Sequence, residues 1–173
     1  LSAKGCLYLY ETRKAFKAAD ADIELRRGHG VAQELLSADE VSRLEPRLPP
    51  LEGGGLFFPD AISLGDPGEV MRRLSMSVRR AGVEFIQASA REIARQANGI
   101  RIMAAPFEIC ARAAVISAGA RSQRLAAQIG DTVRLDTERG YHVEFDMAEP
   151  PIERPVCPTA YGFYLCPMRG RLR

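Results

Sequence analysis

Between Asp66 and Gly130 the sequence changes its hydrophobic period from helix to strand and back to helix, and that order limits the chain to folds mixing α and β structure. Asp66-Pro67-Gly68-Glu69 opens a helix. Asp66 supplies an N-cap, Pro67 suits the first helical position because its missing N–H would be unpaired there, and Glu69 reaches back to free amides. Val70, Met71, Leu74, Val78 and Ala81 follow at helical spacing, and Gly82 stops the run. From there the period is two. Val83-Glu84-Phe85-Ile86 reads as a short strand. Residues 91–96 and 100–103 read as a hairpin turned at Asn98-Gly99, where both residues tolerate positive φ, and 107–111 as a third strand. Ala113-Ala114-Val115-Ile116-Ser117 is continuously apolar up to its serine, as expected of a parallel strand covered on both faces. It runs into Ala118-Gly119-Ala120 and a helix near 122–129 that Gly130 ends.

The flanking segments carry weaker but consistent signals. Gly5-Cys6-Leu7-Tyr8-Leu9-Tyr10 reads as a strand, and Thr12 caps a helix over 13–27 whose Phe16, Ala19 and Ile23 share a face. Ser37 and Glu40 form a capping box, with Leu36 and Val41 at staple positions and Pro46 ending the helix. Residues 46–65 are rich in Pro and Gly, and Gly53-Gly54-Gly55 leads into an apolar Leu56-Phe57-Phe58-Pro59 strand. The stretch 131–173 is β-rich, with strands expected at 137–145 and 162–166 around a Pro-rich loop. There is no internal repeat.

At 173 residues the length suits about one domain. A hydrophobic share of 46% with 27% charged residues is that of a globular chain and argues against disorder. No apolar run approaches the roughly 20 residues of a membrane-spanning helix. Net charge is +2, from 24 basic and 22 acidic residues, which argues against a general nucleic-acid surface. The 4 cysteines lack C-x-x-C spacing, so neither a zinc site nor a thioredoxin-type pair is expected. They read most simply as reduced thiols of a cytoplasmic protein, a Cys157–Cys166 disulfide being the alternative. The start at Leu1 and the stop at Arg173 both look like cuts in a longer protein, with omitted disordered termini as the alternative.

Chemistry could sit in few places. A buried strand ending in Ala118-Gly119-Ala120 lets a ligand approach the backbone, and the following helix start favours phosphate; a ligand-free tight turn explains the residues equally well. The dinucleotide fingerprint G-x-G-x-x-G is absent, and Gly53-Gly54-Gly55 precedes a strand rather than a helix. The arginines at 72, 73, 79 and 80 suit a solvated helix face, and His29 a helix end. No nucleophilic triad or metal-ligand set is recognisable, so no catalytic residue or metal site is assigned. His142, in Arg139-Gly140-Tyr141-His142, suits a structural role as well as a site. Tyr141, Tyr161, Phe163 and Tyr164 suit core packing, yet an apolar wall near Arg139 and Arg173 is also what an amino-acid carboxylate needs.

Several stretches in order resemble FAD-dependent oxidoreductases of the D-amino-acid oxidase superfamily, in particular the bacterial D-amino-acid dehydrogenase and glycine-oxidase-like branch. They are Gly5 to Tyr10, Leu36-Ser37 through Leu44-Glu45-Pro46, Gly55-Leu56-Phe57-Phe58-Pro59, Asp66-Pro67 leading to Gly82-Val83, Ala114 to Ser122, Arg139-Gly140-Tyr141-His142 and Cys166-Pro167-Met168. The resemblance implies an α+β fold with interleaved domains. Residues 1–62 and 131–173 would form an antiparallel-sheet substrate domain, and 63–130 part of a Rossmann-like FAD domain with a three-strand meander. It implies FAD as cofactor, a small amine or amino acid as substrate, and the remainder of the same polypeptide as partner, since the G-x-G-x-x-G unit would lie outside this chain. The parent would be cytoplasmic, with membrane-peripheral attachment as an alternative. Ala118 and Gly119 match the small residues that approach the cofactor, and Arg91 falls where an adenine contact through the backbone is expected. Arg121 replaces a frequent tryptophan. Met168 stands where an arginine often follows the proline, which leaves Arg173, then Arg139, as carboxylate anchor beside Tyr141 and His142. The rival reading is a non-catalytic α+β binding or regulatory module.

Overall fold

A computed structural model describes residues 1–173. In chain order the elements are β1 (Cys6–Tyr10), α1 (Arg13–Ala18), α2 (Asp20–Gly28), β2 (Glu34–Leu36), α3 (Ala38–Leu44), β3 (Gly54–Phe58), α4 (Pro67–Arg80), β4 (Glu92–Gln96), β5 (Gly99–Ala104), β6 (Phe107–Ala111), α5 (Ser122–Gln128), β7 (Phe145–Asp146), β8 (Val156–Pro158), β9 (Pro167–Met168) and β10 (Arg171–Leu172). The chain divides into two compact units, residues 1–77 with 142–173, and residues 78–141. No helix is long and apolar enough to cross a membrane.

The first unit is built on a mixed sheet of order β2-β3-β1-β8. β1 runs antiparallel to β3, with Leu7 opposite Phe57 and Leu9 opposite Gly55, and parallel to β8, with Leu7 opposite Val156. Leu7, Leu9, Val41, Ile152, Val156 and Leu172 form one cluster; Tyr10, Ile23 and Leu56 form another, with Tyr8, Phe16, Ala19 and Phe58 against it. Leu7 and Leu56 lose all solvent contact, worth about 1.5–3 kcal/mol each.

The glycines of 53–55 serve this packing. A Cβ on Gly55 would lie 2.8 Å from Val41 Cγ2 and 3.0 Å from Leu7 Cδ1, and one on Gly53 only 2.1 Å from the Tyr10 carbonyl oxygen. Helix α3 therefore lies directly on the sheet. Its start has the expected capping box: the Ser37 N–H donates to Glu40 Oε2 at 2.7 Å, and the Glu40 N–H donates to Ser37 Oγ at 3.3 Å. At its other end the Glu45 carboxylate accepts from Arg154 Nε at 2.8 Å and from the Glu153 N–H. That buried pair ties α3 to the chain entering β8, while the Arg154 guanidinium lies 5.6 Å from the Phe57 ring centre.

The helix expected over 13–27 is two helices, α1 and α2, meeting at Ala19. The break lets Phe16 stack on Tyr10, with ring centres 5.0 Å apart, while Ile23 is buried from the second segment. The strand expected at 137–145 is ordered into a ladder only at Phe145–Asp146, in a small sheet of order β7-β10-β9. The strand expected at 162–166 is a single bridge, Val156 with Leu165.

In the second unit the meander β4-β5-β6 forms as the Asn98-Gly99 turn requires, with Gln96 opposite Gly99 and Ile93 opposite Ile102. Gln128 of α5 secures its edge. Its Oε1 accepts from the Ile93 N–H at 2.8 Å, and its Nε2 donates to the Arg91 carbonyl at 3.0 Å. The strands expected at 83–86 and 113–117 do not form. Val83, Phe85 and Ile86 are exposed, and Val115 is 90% exposed. A parallel strand needs neighbours on its edges, and neither run has one here.

Candidate functional site

The small-residue turn is present without its strand. Residues 113–117 lead into a single 3-10 turn, Gly119–Arg121, and then α5. Gly119 has φ +55°, in the left-handed region that favours glycine, and a Cβ there would meet nothing within 4 Å. The Ala118 N–H donates to Ser122 Oγ at 3.0 Å, and the Ala118 carbonyl accepts from the Arg121 N–H at 3.1 Å. The turn thus presents open backbone at Gly119, while the Ala118 polar groups are used internally. At seven residues α5 is too short to add the phosphate attraction expected of a longer helix. Both Arg91 main-chain groups are engaged: its N–H donates to the Met103 carbonyl at 2.9 Å, and its carbonyl accepts from Gln128.

Of the four expected substrate residues, Arg139 and Tyr141 lie in the second unit, and His142 and Arg173 in the first. All four are exposed. The Arg173 main chain is held by Cys166, which it meets through two bonds of 2.6 and 3.0 Å.

The first unit holds Tyr161, Phe163 and Tyr164 of the expected aromatic set, and adds Tyr8, Phe58 and Arg26, which sequence reasoning missed. The hydroxyls of Tyr8 and Tyr164 hydrogen-bond each other, and the Tyr8 ring lies edge-on to Phe58 at 5.0 Å and to Tyr164 at 6.0 Å. The Arg26 guanidinium sits 5.8 Å from both the Tyr8 and the Phe58 ring centres. Tyr161 and Phe163 pack at 6.0 Å. The hydrogen bond from Tyr8, then burial, pushes the Tyr164 hydroxyl above its usual range; the Glu11 carboxylate does the same to Tyr161. The period-two pattern of Cys6 to Tyr10 was the available signal for Tyr8; nothing local signalled Arg26.

All four cysteines are free, so the Cys157–Cys166 disulfide does not form in this structure. Burial pushes Cys6 up to about 11 and raises Cys157 and Cys166 as well. Such thiols stay protonated at neutral pH and are poor nucleophiles.

The family described as FAD dependent oxidoreductase (DAO) matches residues 1–173, the whole chain. The chain belongs to this family. Among its relatives, a D-amino-acid oxidase of Bradyrhizobium diazoefficiens is 33% identical over 150 residues, covering 86% of this chain and 35% of that protein. A D-amino acid dehydrogenase of Vibrio vulnificus is 27% identical over 143 residues, covering 80% and 34%. Glycine oxidase from Geobacillus kaustophilus superposes with a TM-score of 0.80 at 22% identity, over 99% of this chain and 46% of that one. L-proline dehydrogenase from P. horikoshii gives 0.71 at 16% identity, over 99% and 48%. The chain therefore spans between a third and a half of these family members, and its mixed α+β structure of several small sheets corresponds to part of their fold.

Proposed function

We propose that this chain is a central portion of an FAD-dependent oxidoreductase whose parent protein oxidises a small amine or D-amino acid. The observation that carries the reading is the family match over all 173 residues, joined to a D-amino-acid oxidase relative at 33% identity. In this reading residues 1–62 and 131–173 belong to the substrate domain and 63–130 to the FAD domain. The partner of the chain is the rest of its own polypeptide.

FAD fits the residues present at one point above all. Gly119 offers open backbone with space where a side chain would be, which is the requirement for close approach of a planar cofactor. Gly119 with Ala118 would hold FAD there. Arg91 contributes through its carbonyl's remaining lone pair, because its N–H is taken. When bound, FAD would supply the two-electron acceptor for the hydride of the substrate Cα–H. The chain's own residues bind and orient. The residues proposed for substrate are Arg173, then Arg139, for the carboxylate, and Tyr141 and His142. No acid–base pair of this chain is assigned to the reaction.

The test uses the full-length parent. Purified parent should carry a flavin absorption spectrum that is bleached by a D-amino acid or a small amine under anaerobic conditions. A folded parent that carries no flavin, or a flavin that no such substrate bleaches, would overturn the proposal. Re-oxidation by oxygen or by a quinone then distinguishes oxidase from dehydrogenase.

A further inference from the structure

β4 is an outer strand of the meander, with a ladder to β5 on one side only. Two main-chain groups at the start of this edge are taken by a single side chain. Gln128 Oε1 accepts from the Ile93 N–H at 2.8 Å, and Gln128 Nε2 donates to the Arg91 carbonyl at 3.0 Å. The partners fix which end of the amide is which, because an N–H donates only to the oxygen and a carbonyl accepts only from the nitrogen. The amide thus pairs with the strand edge as the peptide groups of a neighbouring strand would.

Gln128 belongs to α5, which follows directly on the 3-10 turn Gly119–Arg121. About 9 Å of helix separates Ser122 from Gln128. The side chain therefore joins the two points at which backbone contact with FAD is placed above: the open turn at Gly119 before the helix, and the Arg91 carbonyl at its far end. A second tie holds α5 beside β4 without touching Arg91. Arg95 Nε donates to the Ile129 carbonyl at 3.3 Å, and the Arg95 guanidinium lies 3.7 Å from the Asp131 carboxylate. All of these residues lie in the second unit.

We propose that Gln128 is a positioning residue for FAD: it holds the Arg91 carbonyl so that its second lone pair meets the exocyclic amine of adenine. The inference rests on the reading above, in which Arg91 contributes its carbonyl to the cofactor site. A carbonyl oxygen carries two lone pairs, and Gln128 Nε2 takes one of them, which fixes the direction of the other. The Arg91 N–H is already given to the Met103 carbonyl, so the site offers the ligand an acceptor and no donor. The 6-amino group of adenine fits that demand, and the 6-oxo group of hypoxanthine does not. Gln128 thereby acts on the choice of base without touching it. Glutamate at this position could still accept from Ile93 but could not donate to Arg91, and methionine could do neither.

The test titrates the full-length parent, stripped of flavin, with FAD and with the analogue that carries hypoxanthine in place of adenine. The parent should bind FAD the more tightly by about two- to tenfold, the worth of one uncharged hydrogen bond. In Gln128→Met that preference should fall to near one, with the melting temperature of the flavin-free protein showing that the fold is kept. Gln128→Glu separates the two bonds: amide exchange at Ile93 should stay slow, while the preference for adenine is lost as in the methionine variant. If Gln128→Met does not fold, Gln128→Glu decides alone. A clamp that serves only the fold weakens both ligands alike and leaves their ratio parental. A parental ratio in either variant overturns the proposal, and so does a parent that binds FAD with no preference over the analogue. The oxidoreductase reading fails differently: a folded parent that binds neither flavin sinks that reading, and the role of Gln128 falls with it.

Discussion

Glu45 and Arg154 are buried charges held by each other. Arg154→Met in the parent would leave the Glu45 carboxylate uncompensated, so a loss of about 3–5 kcal/mol in stability is expected, measurable by chemical denaturation. A cost below about 1 kcal/mol would show that the pair contributes no more than an exposed one. Cys6 gives a pH dependence. Burial raises its thiol from the ordinary 9.0 to about 11, with Cys157 adding to the rise. The unfolded chain ionises first as pH climbs, so the contribution is intact below pH 9 and is lost between about 9 and 11. Cys6→Ala should therefore flatten the alkaline fall in stability over that window, and an unchanged slope would assign the fall to other groups. Arg173→Lys removes the guanidinium fork that a carboxylate can engage at two points. Losing a charged hydrogen bond of about 1.5–3 kcal/mol should lower kcat/KM for a D-amino acid roughly ten- to a hundred-fold, with flavin content kept. Arg139→Lys is the control and should leave kcat/KM near parental if Arg173 is the anchor. The reverse result would make Arg139 the anchor.

At the scale of elements, what the sequence revealed was local. The capping box at Ser37 and Glu40, the Asp66-Pro67 helix start and the Asn98-Gly99 turn each put their whole signal within a few residues, and α3, α4 and the β4-β5 hairpin form where expected. The parallel pairing of Leu7 with Val156 joins residues about as far apart as this chain permits, and the stacking of Arg26 on Tyr8 and Phe58 crosses between a helix and two strands; neither leaves a local mark. The runs at 83–86 and 113–117 show the opposite failure. Their composition calls for burial between neighbouring strands, and this chain supplies no such neighbours. The glycine turn was legible as a turn, and its structure sharpens what a substitution there reports. Gly119→Val must adopt φ +55°, a strain of about 1–3 kcal/mol, but meets no atom of this chain within 4 Å. Gly119→Ala pays nearly the same backbone cost with a smaller side chain. If the open space belongs to FAD, the valine variant of the parent should retain markedly less flavin than the alanine variant at equal thermal stability. Equal flavin in both would mean that Gly119 serves the turn alone.

For the whole molecule, the exposed apolar surface forms a pattern. Helix α4 buries none of its residues, although Val70, Met71 and Leu74 are spaced as a helix face, and all three are exposed. Val83, Phe85, Ile86 and Val115 add the two unpaired runs. Scattered exposed side chains would need no account, but a helix face and two strand-like runs together have the composition of an interior. The relatives extend well beyond the part this chain matches, which leaves ample polypeptide to cover such surface in the parent. That polypeptide would also supply the pyrophosphate-binding glycine turn, for which the chain has no G-x-G-x-x-G. Residues 1–173 expressed alone should therefore be colourless after gel filtration, because backbone approach at Gly119 contributes only part of the contacts that hold a dinucleotide. They should also bind a hydrophobic dye more strongly, per mole, than the parent does. The two readouts separate the causes. A flavin spectrum that survives gel filtration would place the main FAD contacts within this chain. Dye binding equal to that of the parent would show that the apolar face of α4 and the runs around Phe85 and Val115 remain exposed in the parent, and so belong to an interface with some other molecule.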